Sequence, residues 1–187
     1  MSPLAARTDC ARRGSWVLAL AAALLVGGCG GNGSASSEGG ALSSGKFAAC
    51  AGSPAVPYAP GMSVASASGG YRAALDMAST ELASGSSVAT AAIGSDAFTV
   101  SVTSAGDAGA DAGIPDELTM TSTAIPWMPV HMHGASTLPA VGAQGDGSFR
   151  VSGIGFFMGG YWQLPLNLIP ASGATDPVVF SICIPDD

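Results

Sequence analysis

Gly145-Asp-Gly-Ser-Phe-Arg-Val-Ser-Gly-Ile-Gly-Phe-Phe-Met-Gly-Gly-Tyr-Trp-Gln-Leu-Pro-Leu-Asn-Leu-Ile169 reads as turn, strand, turn, strand. Gly145-Asp146-Gly147 is a tight-turn signal, because glycine and aspartate supply backbone angles that other residues resist. In the following residues, 148–157, Phe149, Val151, Gly153, Gly155 and Phe157 share one face at a period of two. Gly159-Gly160 marks a second turn and opens residues 161–169, where Trp162, Leu164, Leu166 and Leu168 form an inward row. An inward tryptophan of this kind is expected to plug the core. Pro165 lies inside that row, and a residue without an N–H belongs at an edge or bulge.

The same grammar extends in both directions. Residues 177–184 form a last strand. Residues 139–143 are expected to form a short edge strand. Residues 97–102 alternate cleanly, with Phe98, Val100 and Val102 on one face, and residues 71–77 alternate moderately. Residues 117–125 set Leu118 and Met120 opposite threonines. No 3.6-residue apolar period is sustained, and the Ala-rich stretch 83–93 suits one helical turn at most. Roughly seven short strands, joined by turns without helical crossovers, predict an all-β domain. The expected architecture is an immunoglobulin-like antiparallel β-sandwich. Residues 104–113, rich in Gly, Ala and Asp, are expected to be an acidic mobile loop. Asp107, Asp111, Asp116 and Glu117 lack EF-hand spacing, so solvated charge is preferred to calcium binding there.

The first residues read as an address. Arg7, Arg12 and Arg13 precede an unbroken apolar run at 16–26, too short to span a bilayer. Val26-Gly-Gly-Cys29 then resembles the lipobox of bacterial lipoproteins, with Cys29 as the acylated residue. The expected organisation is a signal peptide over 1–28, a Gly/Ser-rich tether over 29–46 and a domain over 47–187. The domain would begin with an extended arm through residue 68. This places the chain outside the cytoplasm, lipid-anchored to the bacterial cell envelope, on its periplasmic side or its surface. Cleavage near Gly28 without acylation is the alternative and gives the same compartment.

Once the leader is removed, three cationic side chains face twelve carboxylates. So acidic a chain lacks the clustered Lys and Arg needed to grip nucleic acid or anionic lipid. Membrane attachment would come from the acyl anchor. In an oxidising compartment Cys50 and Cys183 are left as an even pair, for which a disulfide is the default; thiolate metal ligation is the competing reading.

His131 and His133 are the only histidines, and they lie in Met128-Pro-Val-His-Met-His-Gly134. Imidazoles beside thioethers suit a soft or borderline metal, copper before zinc. This segment resembles the Met-Pro-x-Met/His-x-His-Gly motif of the YtkA-like domain family, small extracytoplasmic β domains related to FixH-type proteins. Gly145-Asp-Gly-Ser-Phe149 and Phe157-Met-Gly-Gly-Tyr-Trp162 resemble that family's strand start and its Met-Pro-Gly-x-Trp hairpin, with Gly159 where proline is usual. His131 stands where methionine is frequent. The resemblance covers about residues 69–184 and implies copper handling, with Met128, His131, Met132, His133 and Met158 as candidate ligands.

On a straight strand His131 and His133 project to one side, Met128 and Met132 to the other, so a shared ion requires the bend that Pro129 and Gly134 permit. The competing reading is structural: the methionines fill core beside Trp162 and His133 bonds backbone. Trp127 and Tyr161 are expected to pack or lie on the surface. No Gly-x-Ser-x-Gly elbow, Walker loop, zincin motif or dinucleotide fingerprint occurs, and the further ligands of a cupin site are missing. The expectation is therefore a non-catalytic, membrane-anchored envelope domain that binds or relays copper. The alternative is a metal-free structural or interaction module, and an accessory role in a respiratory oxidase system rests on analogy alone.

Overall fold

The computed structural model describes residues 45–106 and 117–186. The expected leader, most of the tether including Cys29, and most of the acidic loop lie outside the described residues. Those described form twelve strands and one short 3-10 turn, Ala48–Cys50. The strands are β1 Val56–Pro57, β2 Met62–Ala65, β3 Tyr71–Glu81, β4 Ser87–Val88, β5 Gly94–Ser104 and β6 Thr119–Thr121. They continue with β7 Trp127–Met128, β8 His133–Gly134, β9 Ala140–Ala143, β10 Ser148–Phe156, β11 Gly160–Ile169 and β12 Asp176–Ile184.

Two six-stranded sheets result. The first runs β1-β12-β11-β7-β8, with β6 also paired to β11; the second runs β2-β3-β5-β10-β9, with β4 on β3. The chain changes sheet four times among the described residues, between β1 and β2, β5 and β6, β8 and β9, and β10 and β11, which interlocks the layers. The fold is the expected all-β sandwich. The arm straddles it, with β1 lying parallel along β12 and β2 pairing with β3 of the other sheet.

The core forms where the inward rows meet. Trp162, Leu164, Leu166 and Leu168 of β11 are buried as the alternation requires, facing Phe98, Val100 and Val102 of β5 and Phe149 and Val151 of β10. Beyond Val151 the expected row fails. A bulge in the β10–β5 register between Ser152 and Ile154, with Gly153 at φ +74°, shifts the alternation by one residue. Ile154 and Phe156 therefore turn inward and Phe157 is 53% exposed, not in line with Val151 as the simple period predicts. Pro165 departs from expectation too, because it sits on a central strand. On one side it pairs with Val179 of β12. On the other, β11 meets β7 at Gln163 and β6 at Asn167, and the ladder is interrupted between those points opposite Pro165. Its missing N–H falls where no strand requires it. The stretch 83–93 forms a turn and β4, with no helical turn.

Cys50 and Cys183 are joined, as expected of the even pair, with Cα atoms 6.0 Å apart. Together with Ala55, Tyr161 and Phe47 they make a small second cluster outside the main core. Asp176 also binds the sheets together: it accepts from the Ser68 N–H at 2.9 Å and the Ser68 hydroxyl at 2.5 Å, linking β12 to the β2–β3 connection. Burial raises its pKa, but the hydrogen bonds from Ser66 and Ser68 outweigh that and hold it below the usual carboxylate value.

Asp96 is the opposite case. It is 1% exposed, its Oδ2 has no partner, and its Oδ1 lies at hydrogen-bond distance from the Thr80 hydroxyl. That hydroxyl also lies 2.6 Å from the Thr90 carbonyl oxygen. The one proton of the Thr80 hydroxyl has two acceptors to serve, so an ionised Asp96 is left short of donors. Burial pushes the Asp96 pKa up to about 7, against the hydrogen bonds from Thr80 and from the Ala92 N–H.

Two outcomes follow. Replacing both Cys50 and Cys183 with alanine reopens a 133-residue separation. The loss in urea unfolding free energy should approach, without exceeding, about 5 kcal/mol. Asp96 has a folded pKa above its unfolded value, so it contributes full stability at acid pH and loses it as the unfolded chain ionises first. Raising the pH from about 5 to about 8 should cost on the order of 2–3 kcal/mol, and Asp96→Asn should flatten that slope and be the more stable form at the alkaline end.

Candidate functional site: the Met128–His133 hairpin

The bend allowed by Pro129 and Gly134 is a complete hairpin. Met128 pairs with His133 and Trp127 with Gly134, so the chain reverses through residues 129–132. Pro129 presets the first turn position. The turn closes where the Met132 N–H donates to the Met128 carbonyl at 2.9 Å, with Met132 at φ +54°. For a residue with a Cβ that conformation costs about 1–2 kcal/mol, which the closing bond and the strand pairs offset. Gly134 is required by proximity: a Cβ there would lie 2.6 Å from Ile125 Cδ1 and 2.8 Å from the Pro126 carbonyl oxygen. That carbonyl accepts from the Ala135 N–H at 2.8 Å.

The reversal redistributes the candidate ligands. Opposed residues of an antiparallel pair project to the same face, so Met128 and His133 share a face that the straight-strand reading divides between two sides. Met128 is fully buried, and a Cβ on Gly160 would meet its methyl at 2.9 Å; its thioether is a core filler at the foot of β11. Met158 is partly buried against the main core, and its carbonyl accepts from Trp162 Nε1 at 3.1 Å. Met132, by contrast, is 79% exposed at the hairpin tip.

The two histidines come together. Their rings lie 5.7 Å apart, centroid to centroid, and 27° from parallel. Two imidazoles bound to one ion at ~2 Å have centroids no more than roughly 6 Å apart; the spacing meets that limit, but the rings are stacked and would have to turn to aim their nitrogens at one point. His131 is exposed. His133 is half-buried, with its ring 5.2 Å from Phe157 and 6.5 Å from Trp162. Its Nδ1 is buried and has no hydrogen-bond partner. Such an atom costs about 1–3 kcal/mol. A histidine that ligates through Nε2 would need a partner on Nδ1, and His133 Nδ1 has none among the described residues.

Among the described residues, no group of three or more His, Cys, Asp or Glu side chains is placed to share an ion. Of the five candidate ligands, the two imidazoles are the side chains brought near each other, and Met132 is exposed on the turn between them. Trp162 has the expected structural place, fully buried against Phe156 and Phe157. The contact of Phe157 with His133 escapes a period-two reading, and Gly153 inside a strand pattern was the available sign of the bulge responsible. A polar hollow on the outer face of the second sheet, lined by Ser79, Glu81, Ser95, Arg150 and Ser152, is separate from the hairpin.

Gly134→Ala should force Ile125 and residue 126 away from β8, lowering stability in urea melts by about 1–3 kcal/mol. No protein-family model matches this chain, and neither a curated protein nor a solved structure does.

Proposed function

We propose that this chain is a membrane-anchored, extracytoplasmic, non-catalytic lipoprotein whose immunoglobulin-like sandwich presents a copper site at the tip of the 128–134 hairpin. His131 and His133 would supply the imidazoles and Met132 a thioether, a set suited to copper in either oxidation state. The observation that carries the reading is the pairing of the only two histidine rings at 5.7 Å on an accessible hairpin. Bound there, copper would be held for transfer, the exposed tip giving a partner access. The anchor at Cys29 would confine the domain to the envelope. Interlocking of the two sheets through β5, β6, β10 and β11 supports the immunoglobulin-like part of the reading.

The rival is a metal-free structural or protein-interaction module, favoured by Met128 lying wholly inside the core and by the His133 ring resting on Phe157. Calorimetric titration of the protein with Cu(II), and with Cu(I) under reductant, separates the two. The proposal expects binding tighter than micromolar that His131→Ala with His133→Ala abolishes, and a melting temperature raised by copper in the native protein alone. A double variant that melts earlier to the same extent with and without copper, in a protein that binds neither ion, establishes the structural role instead.

A further inference from the structure

Exposed large apolar side chains are unevenly distributed. Of the eight among the described residues, Ile125, Trp127, Val130, Met132 and Leu138 lie on or beside the hairpin, and Phe157 packs against its His133. Val130 and Met132, at 64% and 79% exposed, form the tip. Both segments that build this surface are uncharged over long stretches. No Asp, Glu, Lys or Arg occurs from residue 118 to 145, nor from 151 to 175, in a chain that is otherwise acidic. Removing such a surface from water requires no charge to be desolvated.

The hairpin also stands where the chain enters the domain. The Lys46 carbonyl accepts from the Asp186 N–H at 2.6 Å, and a Cβ on Gly159 would lie 2.9 Å from that same nitrogen. Next along the chain, Gly160 is flanked by the Met128 methyl and the Ala49 side chain. Residues 46–49, arriving from the N-terminal segment, are thus packed at the root of the hairpin, with Lys46 and Asp186 as the charges bracketing that root.

From this placement we infer that the hairpin tip, Val130 and Met132, with Trp127 and Phe157 on the two faces below it, is a lipid-contacting element that seats in the headgroup region of the membrane carrying the anchor. The inference rests on the anchoring half of the proposed function and not on copper. Sixteen residues separate Cys29 from Lys46; any random coil of that length spans roughly 20 Å. It would keep this end of the sandwich near the bilayer at high effective concentration. Tryptophan and phenylalanine beside aliphatic tips suit the interface. The acidity of the chain selects zwitterionic over anionic lipid, since like charges would oppose approach.

Coupling the full chain through Cys29 to phosphatidylcholine vesicles that carry a maleimide lipid and brominated acyl chains tests this, in a Cys10→Ser, Trp16→Phe background. Trp127 is then read against a Trp127→Phe control. The expected result is a blue shift and bromine quenching of Trp127, both lost in Val130→Asp with Met132→Asp while the melting temperature is held. Unquenched Trp127 on the coupled vesicles, or equal quenching in the double-aspartate variant, overturns the inference and leaves the surface to a protein partner. Anchoring is tested separately, by whether Cys29→Ser releases the chain from cell membranes. Because the vesicles supply their own linkage, failure of acylation and failure of lipid contact give different results.

Discussion

The indole of Trp162 has no exposed surface, and it touches almost everything that gives this domain its character. Phe156 and Phe157 pack on it from β10, the His133 ring approaches its edge, and its Nε1 donates to the Met158 carbonyl. A buried indole with its N–H satisfied contributes a large apolar area without leaving a polar atom stranded. It also ties the turn before β11 to the hairpin, because the group it holds in place, Phe157, is the one on which His133 rests. Removing the indole would open a cavity beneath Phe156 and Phe157.

The hairpin gathers constraints that would be costly separately. Met132 adopts a left-handed conformation, Gly134 admits the close crossing of 125–126, and Met128 gives up its sulfur to the core. In exchange one imidazole and one thioether stand exposed on the turn, with the half-buried His133 ring beside them. Strained backbone is tolerated where surrounding pairs over-determine it, and here the Met128–His133 and Trp127–Gly134 pairs do so. Copper binding by the imidazoles and lipid contact by the apolar rim are separate proposals, and they draw on different side chains apart from Met132.

Burial raises the pKa of both inward carboxyls, yet their proton requirements are opposite. Asp176 is surrounded by donors and favours its charged form, whereas Asp96, with one oxygen unpartnered, favours its proton. Depth alone did not decide this difference; the supply of N–H and O–H groups did. A domain held together by one disulfide and a core of moderate size is sensitive to such single groups.

Periodicity and covalent chemistry were readable in the chain. Alternation in 97–102 and 161–169 determined the inward rows and the all-β class, because a pleated strand sends neighbours to opposite faces whatever the rest of the fold does. The pairing of Cys50 with Cys183 followed from their being the even pair. Register and reversal were decided only in three dimensions. The bulge at Gly153 turned Phe157 outward, the interruption between β6 and β7 made room for Pro165, and the turn at 129–132 put Met128 beneath the surface and His131 beside His133. Each depends on partners distant in sequence or on a change of backbone direction. A local pattern can therefore name the residues of a site, but it cannot say which of them will meet.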